Sequence, residues 1–310
     1  MKWYLIRRVL LLIPLLCGVT LLTFGLTKAL PGDPALSLVG ERADPAVIER
    51  MRKDLGEDSD IARQYLGYLT LLVKGELGRS YHTNRRVFDD IAMKFPNTLK
   101  LAAGAMLIAV PAGLLLGFMA ARKRGTAFDR IISVCAVSGL SLPVFWSGLL
   151  LMLVFSLKWK ILPPSGTGDL RYLILPALTL SLPALGMLSR ITRTTVLEIM
   201  DAPFVKTAQA KGIQDRKIQL VHIFRNALIP VTTVIGLEFA SYLNGAVLTE
   251  TIFGWDGIGR FTMEGILKRD YPVIMGCVIT GTLVFIIINL MVDILYHYLD
   301  PRVSINEQNG

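Results

Sequence analysis

The chain has 310 residues, of which 53% are hydrophobic and 18% are charged. A soluble globular domain carries roughly 45–50% apolar and about 25% charged residues, so this composition favours an integral membrane protein over a soluble enzyme. The net charge of +9 is better explained by basic cytoplasmic loops than by nucleic-acid binding, so no nucleic-acid partner is expected.

The cysteines and histidines give no metal or disulfide pattern. They are Cys17, Cys135, Cys277, His82, His222 and His297. The cysteines all lie in apolar runs without a short pairing spacing, and no HExxH motif occurs. We therefore expect the cysteines to be small apolar side chains, and we expect neither a catalytic nor a metal site.

The chain begins with MKWYLIRRVLLLIPLLCGVTLLTF, which has the basic start of a secretory signal. Its apolar part is longer than the roughly 7–15 residues of a signal core, and no small-x-small cleavage site follows cleanly. The pattern therefore favours a retained first transmembrane helix within residues 1–30.

Six runs are long and apolar enough to cross a hydrocarbon core of about 30 Å, which takes about 20 helical residues. They are 9–27, 101–121, 131–157, 172–189, 226–249 and 271–292. The 226–249 run holds a single charge, Glu238. The expected fold class is an all-α integral membrane protein with six transmembrane helices.

Lysine and arginine set the expected orientation. With a cytoplasmic N-terminus, the short inside segments hold fifteen of these residues and the two short outside loops hold six. Both termini are therefore predicted in the cytoplasm. Residues 190–226 become the longest cytoplasmic loop, and residues 304–310 become a cytoplasmic tail.

Residues 31–98 are predicted to form a small helical cap outside the membrane, after the first helix. The stretches DPAVIERMRKDL and DIARQYLGYLTLLVKG alternate apolar and charged residues at helical spacing. Asp44 and Asp60 open the two stretches, and aspartate is a favoured helix N-cap.

The stretch KTAQAKGIQDRKIQLVHIFRNALIP, residues 206–230, predicts two short helices in the cytoplasmic loop. We expect Asp201 to cap the first helix, with Pro203 in its first turn. Gly212 is expected to end it, and a second helix is expected from about Gln214.

On a 3.6-residue wheel the second helix is amphipathic. Its polar face holds Asp215, Gln219, His222 and Asn226, and its apolar face holds Leu220, Ile223, Phe224 and Ala227. Two interpretations remain open from the residues alone. The segment either lies in the lipid headgroups or docks in a groove on a cytoplasmic partner.

The 206–230 loop resembles the EAA loop of ABC-importer membrane subunits, in which a short coupling helix docks on the ATPase. FVKTAQAKGIQDRKIQLVHIFRNALIPV is similar to the form in the dipeptide/oligopeptide/nickel permease family. The resemblance continues through LIRRVLLLIP, LPGDP, GELGRSY, FPNTLKL, LPVFW, ILPALTLSLP, SRITRT, ETIFGWDGIGR, RDYPV and VDILYHYLDPRV. Lys206 stands where the glutamate of the general motif would fall, so a salt bridge inferred from that motif is not carried over.

The resemblance implies a permease subunit of an ATP-driven, binding-protein-dependent importer in the bacterial inner membrane. Residues 99–303 would form a five-helix core and half of the translocation path for di- or oligopeptides. The implied partners are a second homologous permease subunit, two cytoplasmic ATP-binding subunits, an extracytoplasmic solute-binding protein and the lipid bilayer around the permease. The chain has no G-x-x-x-x-G-K-[ST] motif, so ATP and Mg are expected on the partner ATPases, and no cofactor or enzymatic activity is expected here.

We expect the coupling contact at Thr207, Ala208, Ala210, Lys211, Gly212, Asp215 and Lys217. The small side chains permit close approach to a partner, and Gly212 forms the bend between the two short helices. The charged pair Asp215 and Lys217 can reach the partner surface.

Glu238 and Asn244 are the candidates for the translocation path. A carboxylate near a helix centre costs on the order of 2.5–3.5 kcal/mol and usually faces a protein interior or water. Glu238 either lines the path or is a paired structural acid, and both interpretations stay open. Asn244 lies roughly 120° away on the helix and need not share that face.

Nickel, opines or a glutathione-like solute would suit the same architecture. A transporter driven by an ion gradient would show inverted repeats, whereas LSLP recurs here at 140–143 and 180–183 in adjacent helices. An intramembrane enzyme is disfavoured, since the sequence has no G-x-S-G or zinc motif and no paired aspartates at membrane depth.

Overall fold

The computed structural model describes residues 2–29, 33–40, 43–54, 60–244 and 246–299. Within these ranges every regular element is a helix, which confirms the all-α prediction. The predicted tail, 304–310, lies outside the described residues.

The first helices are α1 Lys2–Ala29, α2 Pro34–Val39, α3 Pro45–Asp54, α4 Ile61–Val73, α5 Val87–Arg122, α6 Ala127–Ser141 and α7 Val144–Met152. A π-helix, Leu153–Lys158, continues α7. The remaining helices are α8 Leu170–Met200, α9 Pro203–Ala210, α10 Asp215–Lys217, α11 Arg225–Leu243, α12 Val247–Ile252, α13 Ile258–Lys268 and α14 Tyr271–Leu299. A second π-helix, Ile218–Phe224, joins α10 to α11. The helices form two compact units, the first from residues 1–98 and 256–284 and the second from 99–255 and 285–310.

In the part of the chain that the structure describes, four helices are long and apolar enough to cross a membrane. They are Val87–Arg122, Leu170–Met200, Asp215–Leu243 and Tyr271–Val292, and a bent pair of helices supplies a fifth span if it is counted as one. Pro14–Ala29, the second half of α1, is a shorter apolar stretch. The chain therefore spans the membrane several times, while the count of six spans and the orientation of the termini stay predictions.

The run 131–157 is not the single helix that its composition predicts. α6 ends at Ser141, Leu142 is extended with φ −74° and ψ 130°, and α7 begins at Val144. The two halves of the run are bent by 102°. Pro143 explains the break, because proline lacks an N–H and disfavours the helical conformation in the residue before it.

Two helices also begin earlier than predicted. α5 starts at Val87, inside the predicted cap, and the span predicted from residue 226 starts at Asp215 and ends at Leu243. Apolarity marks only the part of a helix that needs lipid, whereas the helix itself continues into polar residues wherever nothing breaks it. Residues 247–249, predicted in the same span, belong to α12.

Helix α8 is the centre of the second unit. A Cβ added at Gly113 of α5 would lie 2.7 Å from the Leu188 Cβ of α8, and one added at Gly186 of α8 would lie 2.5 Å from the Ala136 carbonyl oxygen of α6. Real side chains do not tolerate such distances. The glycines therefore allow α5 and α6 to lie directly against the α8 backbone.

An ion pair fixes α6 to α8 near one end of this contact. The Arg193 Nε donates to Asp129 Oδ1 at 2.6 Å, and a terminal guanidinium nitrogen donates to Oδ2 at 2.9 Å. The Gly125 N–H also donates to Oδ2, at 3.0 Å. The Asp129 side chain is only 6% exposed, so this ion pair is buried. Bidentate hydrogen bonds between arginine and a carboxylate are stronger than hydrogen bonds between neutral groups.

The first unit has its own apolar core. Phe24, Tyr68, Tyr271, Ile274, Met275 and Ile279 form one cluster, and Val87, Ile91, Ile258, Val273 and Cys277 form another. Buried Asp270 ties a loop to the start of α14. It accepts hydrogen bonds from the Ser80 hydroxyl at 2.5 Å and from the Tyr81 N–H at 3.1 Å.

The aspartates before α3 and α4 differ in what they do. Asp44 accepts the Ala46 N–H at 2.9 Å, as a capping side chain does, whereas Asp60 stands at the N-cap without a side-chain hydrogen bond. Asp33, which the sequence did not single out, caps α2 and accepts from Arg52. Burial alone would raise the pKa of Asp33, but the hydrogen bonds from Arg52 and Ala35 outweigh it and hold that pKa below its usual value.

The Asp129→Asn variant is expected to destabilise the second unit by about 1.5–3 kcal/mol, because Arg193 loses a charged acceptor and only part of its guanidinium reaches water. The measurement is the thermal midpoint in detergent. Glu198→Gln removes an exposed carboxylate from α8 and is the matched control. An Asp129→Asn protein as stable as this control would show that the pair contributes nothing.

Candidate functional site

The predicted coupling segment is an elbow between two long helices, defined here as residues 203–217. α8 ends at Met200, and the N–H of Asp201 bonds back to the Leu197 carbonyl at 3.4 Å. Asp201 therefore closes α8, and the prediction that it caps α9 is wrong. Ala202 is the N-cap of α9, and Pro203 occupies the first turn as expected.

Gly212 ends α9, as predicted. Its φ of +71° is a left-handed conformation that glycine adopts without strain. The Gly212 N–H bonds to the Gln209 carbonyl at 2.9 Å and the Ile213 N–H to the Ala208 carbonyl at 3.2 Å. This pair of bonds is a Schellman motif, which satisfies the last carbonyls of the helix and turns the chain sharply.

The base of the elbow is anchored in one apolar cluster. Its buried members are Ala121, Val196, Val205, Ala208, Ile218, Ile223 and Ala227. These residues come from α5, α8, α9, the second π-helix and α11. Phe118 of α5 also meets Phe224 edge-on, with ring centroids 5.2 Å apart. The elbow is therefore packed against the ends of three long helices.

The π-helix changes which side chains face this cluster. Ile218, Ile223 and Ala227 are buried, whereas Leu220, predicted on the apolar face, is 49% exposed. The prediction assumed 3.6 residues per turn throughout. A π-helix closes its hydrogen bonds over five residues, so the wheel misplaces Leu220, whereas Ile223 and Ala227 face inward as predicted.

Six of the seven predicted coupling residues lie on the exposed side of the elbow. They are Thr207, Ala210, Lys211, Gly212, Asp215 and Lys217. The seventh, Ala208, is 6% exposed and packs into the anchoring cluster. The geometry thus separates an exposed surface from an inward-facing anchor that the sequence pattern grouped together.

Phe204 was missed by the sequence interpretation. It follows Pro203 in the first turn of α9 and is 46% exposed, beside Val205, which is buried. An aromatic residue in a short helix whose neighbours supply the apolar anchor was the available signal. Aromatic side chains are enriched where proteins bind one another.

The two path candidates lie apart on α11. Glu238 is half-buried, and Tyr242, one turn further on, donates from its hydroxyl to the Leu180 carbonyl of α8 at 2.9 Å. Asn244 is the exposed C-cap of α11, about 9 Å further along the axis than Glu238. Across the described residues, no three histidine, cysteine or acidic side chains come together to hold a metal ion.

The chain matches two family descriptions. Residues 113–305 match the binding-protein-dependent transport system inner membrane component, and residues 1–102 match the N-terminal part of such membrane components. The solved structure of the inward-facing methionine ABC transporter MetNI matches with a TM-score of 0.58. That match has 14% identity and covers 68% of this chain and 96% of the other, so it concerns the fold alone.

Three curated relatives cover almost the whole chain. The di/tripeptide transport system permease protein DppB of Pseudomonas aeruginosa is 42% identical over 97% of this chain and 98% of its own length. The dipeptide transport system permease protein DppB of Escherichia coli K12 is 36% identical, covering 98% and 99%. The glutathione transport system permease protein GsiC of Pectobacterium atrosepticum is 41% identical, covering 97% and 98%.

Gly212→Ala is expected to loosen the elbow without a steric clash, because nothing lies within 4 Å of an added Cβ. The left-handed conformation costs an alanine about 1–2 kcal/mol, which corresponds to roughly 5–30-fold faster amide hydrogen exchange in residues 203–217. Gly67→Ala, also in open space but inside helix α4, is the control. Equal amide hydrogen exchange in residues 203–217 of the wild type and of Gly212→Ala would show that alanine is not strained at position 212.

Proposed function

The chain belongs to the family of binding-protein-dependent transport system inner membrane components, and from this membership we propose how it couples to its partners and what it carries. It is a multi-pass permease subunit of an ABC importer of the peptide family, in the bacterial inner membrane. The finer proposal is that residues 203–217 dock on a cytoplasmic ATPase and that the cargo is a di- or oligopeptide.

The observation that carries the docking proposal is the division of the elbow into an exposed surface and a buried anchor. Lys211, Asp215 and Lys217 offer charges to a partner, and Phe204 offers an aromatic ring. A polar rim around an aromatic residue is the usual composition of a protein interface. A short helix presented in this way suits a groove on a cytoplasmic subunit.

The anchor would transmit the motion of such a partner. Val205 and Ala208 of α9 share their cluster with Ala121 of α5, Val196 of α8 and Ile223 of the π-helix. Close-packed groups move together, because interiors are dense and compress little. ATP-driven closure of the partner subunits would therefore displace the ends of three spans as one body and open the path on one side or the other.

The partners follow from the same proposal. The sequence has no phosphate-binding G-x-x-x-x-G-K-[ST] motif, so ATP and Mg are assigned to two separate cytoplasmic ATP-binding subunits. A second, homologous permease subunit would complete the translocation path, and an extracytoplasmic solute-binding protein would deliver the solute. The chain itself would bind no cofactor.

Peptides are the proposed cargo because the relatives are named for short peptide solutes, namely dipeptides, tripeptides and glutathione. These names therefore favour a peptide cargo over nickel or an opine. Glu238 is proposed to line the path and to meet the ammonium group of a peptide. Its half-buried position at membrane depth supports this role, since buried membrane carboxylates commonly mark solute paths.

Lys211→Glu and Ala210→Trp are each expected to reduce co-purification of the ATPase subunits at least tenfold, through charge reversal and steric block respectively. Lys160→Glu, the same charge change at an exposed position outside the elbow, is the control. The measurement is the amount of ATPase recovered with the tagged chain, together with ATP hydrolysis in nanodiscs. Normal recovery and normal hydrolysis in both elbow variants would exclude docking at this surface.

Glu238→Gln is expected to lower ATP-driven uptake of a dipeptide about tenfold, the effect of losing roughly 1.4 kcal/mol of charge interaction with the ammonium group. ATP hydrolysis stimulated by the solute-binding protein should persist, since the elbow is untouched. Uptake into proteoliposomes is the measurement, with Glu198→Gln as the matched variant. Unchanged uptake would instead assign Glu238 a structural role beside Tyr242.

A further inference from the structure

An apolar groove of about 550 Å³ runs along the first unit. Its walls come from α1, α4 and α14 and from the first residues of α5. The principal lining residues are Leu16, Cys17, Thr20, Leu69, Leu72 and Leu283. The groove thus extends along two long apolar helices, beside the first turns of a third.

A second pocket, of about 430 Å³, adjoins this groove and shares three of its lining residues, Gly75, Leu77 and Phe88. Its lining differs sharply, because it carries Arg79 and Arg86 together with Glu76 and Asp89. An apolar groove and a charged pocket therefore lie side by side and have part of their walls in common. This is the polarity of a lipid molecule, with an acyl chain at one end and a headgroup at the other.

The two arginines stand side by side. Arg79 and Arg86 form an isolated antiparallel β-bridge, and residues directly opposite in such a bridge have their Cβ atoms about 4.5–5.5 Å apart. Arg79 also donates to the Asn84 carbonyl at 2.9 Å, which holds it in this loop. Among the described residues, neither guanidinium lies in an ion pair, whereas the adjacent Arg85 pairs with Asp90 at 3.2 Å. Like charges directly opposite one another are unfavourable, and an anion between them would remove that cost.

From this juxtaposition we propose that the first unit binds one phospholipid, with an acyl chain in the groove and its phosphate between Arg79 and Arg86. Arginine is well suited to phosphate, since its planar fork donates two parallel hydrogen bonds. Glu76 and Asp89 line the same pocket and complement an ammonium group. The headgroup is therefore one that carries an amine, as in phosphatidylethanolamine.

The charged pocket argues against a protein helix as the occupant. A partner helix that covered the apolar groove would bring no phosphate to Arg79 and Arg86 and no ammonium group to Glu76 and Asp89. A phospholipid matches both parts with one molecule.

The arginines, rather than the groove, set the selectivity. An acyl chain gains no hydrophobic free energy by leaving the bilayer for an apolar groove, because lipid tails are as apolar as leucine. Any preference for one lipid must then come from the charged pocket. Removing the two guanidinium groups should abolish retention even though the groove is unchanged.

The test uses the complete complex, purified in mild detergent, and counts bound phospholipid by native mass spectrometry and by lipid extraction. The Arg79→Gln/Arg86→Gln protein is expected to retain at least tenfold less phosphatidylethanolamine than the wild type. Arg50→Gln/Arg63→Gln is the matched control, because it removes two exposed arginines of the same unit that line neither pocket. Wild-type lipid content in the Arg79→Gln/Arg86→Gln protein would overturn the site.

Headgroup choice is tested by reloading the delipidated complex from vesicles of equal phosphatidylethanolamine and phosphatidylglycerol. Selective uptake of the amine lipid is expected, and equal uptake of both overturns the assignment of Glu76 and Asp89. A protein segment bound in the groove, in place of an acyl chain, would overturn the lipid proposal as a whole. None of these readouts involves ATP or transport, so failure of the lipid site can be distinguished from failure of docking at the elbow.

A second measurement needs no variant. Cys17 lines the groove, while Cys135 is exposed in the other unit. Adding phosphatidylethanolamine to the delipidated wild-type complex is expected to slow maleimide labelling of Cys17 at least fivefold and to leave Cys135 unchanged. Equal rates at Cys17 with and without the lipid would contradict an acyl chain at this position.

Discussion

Backbone contact between α8 and its neighbours is the constraint on which the second unit depends. Glycine at 113 and 186 removes the side chains that would hold α5 and α6 away from α8, and Asp129 joins Arg193 where α6 begins. Helices in lipid gain little from burying apolar surface, so close packing and buried polar pairs must supply their association. Two of these helices, α5 and α8, reappear at the elbow, where Ala121 and Val196 form its floor. The position of the exposed coupling residues therefore follows from packing deep within the unit.

The sequence reveals the all-helical membrane class because lipid imposes a simple rule, a run of apolar residues of a certain length. It reveals Gly212 as a helix end because the left-handed turn requires glycine. It cannot reveal that Ala208 faces inward while Ala210 faces outward, since both are alanines in a short helix and only the surrounding cluster distinguishes them. Leu220 was misplaced for a different reason, because the pitch of the helix changes beneath it.

The tetrapeptide LSLP shows how far local sequence can decide structure. At 140–143 it ends α6, whereas at 180–183 it lies within α8. Residues 140–143 are exposed, so nothing opposes the preference of proline to break a helix. In α8, Leu180, Ser181 and Ala184 are buried, and their contacts hold the chain helical through Pro183. Identical letters thus take two conformations, and the deciding contacts come from residues far away in the chain.

The π-helix at 218–224 has a consequence for how the chain tolerates change. A wide turn accommodates the equivalent of one extra residue, and each residue of an α-helix advances the facing direction by about 100°. Ile218 begins the wide turns and Ala227 lies after them, and both reach the same cluster. The number of residues between the elbow and α11 is therefore fixed as strictly as their identity. Substitutions in this segment alter one contact each, whereas a change in length re-aims everything on one side of it.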